Sequence, residues 1–221
     1  MSHWTETDRR IGIWSAAGGA VIAAVYVSTG IIGLLARPPN ASLLQQVDPY
    51  LGVMEILIIL FAVNLVAIQA SVYAFAQADR KTYALLALTF TVAFAVLTCA
   101  VHFVSLTVGR QVKAEALPRL VQHLSFDRWP SVALTVDLLA WDFFVGLSLL
   151  FAAPVFRSGG LRGNIRALMI LGGALCLAGT FGPLLGNLQI QFLAIAGYAF
   201  VLPVVCALLA VLFRRETSAT G

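Results

Sequence analysis

Six apolar stretches, each long enough to cross a bilayer, occupy almost the whole of this 221-residue chain. A span needs about 20 apolar residues to cover ~30 Å of hydrocarbon. Backbone groups cannot go unpaired in lipid, so each stretch is expected to be a helix. The stretches run over residues 11–36, 51–76, 82–108, 131–156, 167–185 and 188–213. They predict an all-α integral membrane protein, a six-helix bundle forming one transmembrane domain over 1–221. Segment 109–130, between the third and fourth helices, has its own pattern. Val112, Leu117, Leu120, Val121 and Leu124 alternate with Lys113, Glu115, Arg119 and Gln122 at roughly helical spacing. That predicts an amphipathic helix lying in the membrane interface, with Trp129 as its aromatic anchor.

Charge sets the orientation. Only 11% of residues are charged, against about a quarter in a soluble domain. This scarcity argues against a nucleic-acid partner more strongly than the net charge of +4 argues for one. Nine of the fourteen Lys and Arg lie near span ends on one side: Arg9, Arg10, Arg80, Lys81, Arg157, Arg162, Arg166, Arg214 and Arg215. The positive-inside rule then predicts cytoplasmic termini in a plasma (inner) membrane. The apolar run after Arg10 exceeds a signal-peptide core and is read as the first span. Small residues crowd the first span (Ala16, Gly18, Gly19) and the fifth (Gly172, Gly173, Gly179). Such runs let backbones approach closely, inside the bundle or between protomers of a homo-oligomer.

The functional clue is the depth of the polar residues. Counted at about 1.5 Å per residue, Glu55, His102, Asp137, Asp142, Asn187 and Gln191 all fall in the outer half of the membrane. A charge within the bilayer costs at least ~2.5–3.5 kcal/mol, so these groups should face the interior, pair or take up a proton. No Lys or Arg is available inside the spans to pair with them. At least one acid is therefore expected to hold its proton, the state that a general acid or proton carrier needs. Asp137, Trp141, Phe144 and Ser148 share one helical face, with Asp142 about 140° around from Asp137. On the third span Thr91, Thr98, His102 and Ser105 form a polar stripe, and Asn187, Gln191 and Tyr198 do so on the sixth.

These residues point to an outer-half pocket for a lipid or isoprenoid-like apolar molecule. The expected catalytic set is Glu55, Asp142 and His102, a protonated acid acting on an alkene or epoxide with His102 relaying the proton. The expected binding set is Trp141, Phe144, Tyr26, Tyr198, Asp137, Asn187 and Gln191. The three should converge around one cavity, because their depths match and each sits on a different helix. In architecture and residue type, such a bundle resembles sterol isomerases of the emopamil-binding type and membrane-bound terpene cyclases. That resemblance implies acid-catalysed isomerisation or cyclisation and transfers no residue role. No cofactor and no metal is expected. Cys99, Cys176 and Cys206 lie in apolar stretches without CxxC spacing and read as buried hydrophobes. Two other readings remain open: a proton-linked transporter or channel subunit, and a sensor or assembly subunit whose acids only pair helices.

Overall fold

A computed structural model describes residues 4–38, 48–111, 123–124, 126 and 129–216, and all regular structure among them is helical. Six helices are long and apolar enough to cross a membrane. They are α1 (Glu6–Ala36), α2 (Tyr50–Phe75), α3 (Lys81–Gln111), α4 (Val132–Val155), α5 (Gly160–Leu184) and α6 (Leu188–Arg215). The expected interfacial helix lies mostly outside the described residues, Leu117, Leu120 and Val121 included.

Local chemistry explains the ends that differ from the apolar boundaries. α1 begins at Glu6, more than a turn before the apolar run. There the Thr5 hydroxyl accepts from the Asp8 N–H while Asp8 accepts from the Thr5 N–H, a reciprocal capping box. α5 begins at Gly160 instead of Ala167, after Gly159 and Gly160 turn the chain at φ of 103° and 53°. Its last turn, Phe181–Leu184, follows a break at Thr180 and contains Gly182 and Pro183. Asn187 then caps α6, its side chain accepting from the Gln189 N–H at 3.0 Å.

The start of α1 and the end of α6 lie at one end of the bundle. Trp4 packs between Phe75 and Phe213, with ring centroids 5.3 Å apart in both pairs. At this terminal end Arg80 donates to the Pro154 carbonyl, Arg157 to Gln77 at 2.6 Å and Arg162 to Glu216 at 2.6 Å. These bonds tie the α2–α3 turn and the end of α6 to the junction of α4 and α5. At the opposite, loop end, Arg110 donates to Asp48 at 2.7 Å and crosses over Gly52.

Lipid tails are as apolar as leucine, so helices in a membrane associate through close packing and not through exclusion from water. The small residues of α5 serve this inside the chain. A Cβ on Gly173 would sit 2.8 Å from the Gly146 carbonyl of α4, and one on Gly197 of α6 would sit 2.8 Å from the Gly172 carbonyl. On α1, Gly12 and Gly19 face Phe213, Ser71, Asn64 and Ile68, and Asn64 donates to the Ser15 carbonyl at 2.7 Å. The other face of α1 is bare, with Trp14 77% and Leu35 82% exposed. α1 packs along α2 and against the terminal half of α6, Leu202–Arg215, but meets little of the loop-end half of α6. The two helices therefore diverge toward the loop end.

Candidate functional site

Two wide turns shape the interior of the loop-end half. α4 and α6 each contain one turn with i→i+5 bonding, at Leu139–Phe144 and Ala196–Val201. Such turns occur often at functional sites. The one in α6 has a visible cause: Pro203 lacks an N–H and its ring crowds the Ala199 carbonyl, loosening the ladder just before it. Trp141 and Tyr198 are each the third residue of their turn, and their rings meet at 5.0 Å. Trp141 also stacks on Phe61 at 6.0 Å and meets Phe94 edge-on at 4.6 Å.

A cavity of about 100 Å³ lies among α1, α2, α4 and α6, bordered by Tyr26, Phe61, Asp137, Trp141 and Tyr198. Val27, Ala199 and Pro203, all half-buried, complete its wall where α1 and α6 diverge. The single carboxyl group on this wall among the described residues, that of Asp137, is held from α3. Oδ1 of Asp137 accepts from the Thr98 hydroxyl at 3.0 Å and lies 3.4 Å from Nε2 of His102. The His102 ring in turn lies flat on Phe126, centroids 4.8 Å apart and planes 3° from parallel. At 3.4 Å the His102–Asp137 contact exceeds a good hydrogen bond. Neither ring nitrogen of His102 has a hydrogen-bond partner among the described residues.

The other two acids are held separately. Oε1 of Glu55 accepts from the Ser105 hydroxyl at 2.5 Å, and Oε2 is buried with no partner among the described residues. Asp142 is wholly buried, and its Oδ1 accepts from Nε2 of Gln191 at 2.9 Å. Asp142 Oδ2 and Gln191 Oε1 have no partner among the described residues.

Helical spacing explains this division. Asp137, Trp141, Phe144 and Ser148 all face α3, where they meet Thr98, Phe94, Phe90 and Thr91 in turn. Asp142, on another side of α4, turns toward α6. None of Glu55, His102 and Asp142, expected around one cavity, lines this wall; Asp137 is the acid that borders it and contacts His102. Of the expected binding residues, Tyr26, Trp141, Tyr198 and Asp137 do line it. Phe144 packs on Phe90 at 6.4 Å instead, Gln191 serves Asp142, and Asn187 is an exposed helix cap. Phe61 and Phe94 carry no signal that separates them from ordinary core phenylalanines. Thr98 and Ser105 do, because their stripe marks the face of α3 that meets the acids.

A second polar layer lies nearer the terminal end. Gln69 donates to Ser148 at 3.0 Å, and Ser148 lies 2.6 Å from the Thr91 hydroxyl. Phe61, Phe94 and Trp141 stand between the two layers, with Phe94 wholly buried. This aromatic block counts against a continuous polar path from end to end. No protein-family model matches the chain, nor does any curated protein or solved structure.

Proposed function

We propose that this is a multi-pass protein of the plasma (inner) membrane that binds a lipid-like or isoprenoid-like small molecule in its outer half. The observation that supports this best is the cavity walled by four aromatic side chains and one carboxyl group, placed where α1 leaves α6. A mostly apolar wall with one convergent polar group is the usual make-up of a small-molecule site. The gap between the two helices gives a membrane-dissolved molecule a lateral entrance. Asp137 is the acid nearest such a ligand, and His102 behind it is positioned to return a proton. An isomerase or cyclase that protonates an alkene would use that pair, with the aromatic walls stabilising positive charge on carbon.

The test is retention of ligand. Protein purified from native membranes should carry a small apolar molecule at near-equal stoichiometry by native mass spectrometry. Ala199→Phe, which places a ring into the cavity, should lose it. Acid chemistry would add deuterium from D2O to the recovered alkene, and Asp137→Asn should stop that exchange. Absence of any retained molecule, together with unchanged behaviour of Ala199→Phe, would leave the binding reading without support.

One set of contacts favours a second reading, a subunit without chemistry. Each acid has a partner on a neighbouring helix: Glu55 with Ser105, Asp137 with Thr98, Asp142 with Gln191. If pairing is their whole role, Glu55→Gln, Asp137→Asn and Asp142→Asn should all be tolerated or stabilising, because each keeps its shape and removes a buried charge.

The orientation has its own check. Cysteines introduced at Ser158 and Ser218 should react with an impermeant maleimide only from the cytoplasm, and one at Ser42 only from outside. The reverse pattern would place the cavity in the inner half and overturn the proposed topology.

A further inference from the structure

We propose that the cavity takes an organic cation, a compact ammonium head group carried on an apolar tail. This rests on the reading of the cavity as a ligand site and specifies the class of ligand.

Among the described residues that border it, four are aromatic, Tyr26, Phe61, Trp141 and Tyr198, and none is Lys or Arg. The negative face of an aromatic ring attracts a cation, most strongly where water is excluded, and tryptophan is the best of these partners. Asp137 adds a carboxyl group to the same wall. Thr98 and His102 both approach its Oδ1. Among the described residues Oδ2 has no hydrogen-bond partner, and Asp137 itself borders the cavity. An acid beside an apolar cavity needs a proton or a cation to balance it, and an ammonium head group would supply the cation.

Size and access fit the same ligand. A cavity of about 100 Å³ is smaller than the ~150 Å³ cavity that holds benzene. It leaves room for a compact head group but not for a whole lipid. The tail would leave past Val27, Ala199 and Pro203, through the gap between α1 and the loop-end half of α6. A neutral isoprenoid would use the aromatic walls and the gap, but it would give Asp137 nothing beyond a proton acceptor.

The experiment compares two probes of one shape. Benzyltrimethylammonium and neopentylbenzene differ by a quaternary nitrogen in place of a quaternary carbon. Equilibrium binding of each to the full-length protein in an uncharged detergent should show the cation bound at least about tenfold tighter, equivalent to ~1.4 kcal/mol. Ala199→Phe should abolish binding of both. Asp137→Asn should remove most of the preference while leaving neopentylbenzene affinity within about twofold, and Trp141→Leu should weaken the cation more than its isostere. Size-exclusion profiles would confirm that each variant is folded. Should Asp137→Asn fail to fold, the wild-type ratio and the Ala199→Phe block still decide the matter. Equal affinity for both probes, blocked by Ala199→Phe, would overturn the cation proposal and leave the ligand site standing. No saturable binding of either probe would overturn the cation proposal, while a retained native molecule would still uphold the site. A preference unaffected by Ala199→Phe would place the cation elsewhere and also overturn the proposal.

Discussion

Gly179→Val should prevent the loop-end parts of α5 and α6 from meeting and cost about 3 kcal/mol or more, the upper end of overpacking. A Cβ at Gly179 would lie 2.8 Å from the Ala194 backbone nitrogen and 3.0 Å from its Cα. Neither atom can swing aside as a side-chain tip can, so the helices would have to separate. The effect would spread to the polar layer. Gln191 lies one turn before Ala194, with its backbone nitrogen 2.8 Å from where a Cβ on Gly182 would stand. Separating the helices would draw Gln191 away from Asp142 and leave a wholly buried carboxyl group without its donor. Thermal unfolding in detergent should show a large drop in Tm, or no folded peak at all. Gly163→Ala is the control: its Cβ would meet nothing closer than 3.5 Å, and alanine is the better helix former, so its effect should stay within about 0.5 kcal/mol of neutral or slightly stabilise. Equal stability of the two variants would show that the α5–α6 approach is looser than described.

Trp141→Ala should be the most damaging change within the site. It removes the ring that touches Phe61, Phe94 and Tyr198 together. Aromatic-to-alanine changes in cores cost about 3–5 kcal/mol. The lower end is expected here, because transfer from water supplies little of the stability of a helix already in lipid, and lost packing supplies the rest. For a chain of this size about 3 kcal/mol corresponds to a Tm lower by roughly 6–12 °C. The cavity would also open toward Phe94 and the second polar layer beyond it. The variant should therefore bind larger probes with less discrimination, as probe-dependent thermal stabilisation would show. Trp141→Phe should recover most of the stability. Failure of phenylalanine to rescue would mean that the indole does more than fill space.

Much of the architecture is legible in the sequence. Each apolar run from 11–36 to 188–213 corresponds to a helix long and apolar enough to cross a membrane, because unpaired backbone groups leave such a run no other form in lipid. The start of α1 at Glu6, earlier than the apolar run, follows from the Thr5–Asp8 capping box. Periodicity likewise placed Asp137, Trp141, Phe144 and Ser148 on one face and Asp142 on another. These are properties of a single helix and its immediate neighbours in sequence.

Which helix each face would meet was decided only by the tertiary structure. Equal depth suggested that Glu55, His102 and Asp142 would converge, but depth fixes one coordinate and leaves rotation about each helix axis open. Packing sets that rotation. The close approach of Gly173 to Gly146 and of Gly179 to Ala194 turns α5 and α6 so that Gln191 meets Asp142, leaving His102 to Asp137. The cavity depends on long-range geometry as well. It exists because α1 follows the terminal half of α6 and parts from the loop-end half, and because wide turns on two helices bring Trp141 and Tyr198 together. Pro203 is a local cause of one of those turns, and nothing in the local sequence marks the other. Sequence by itself determined the helices, their polar faces and the depth of the acids. The pairing of those acids and the space beside Asp137 came from helix rotation and divergence, which only the packed bundle sets.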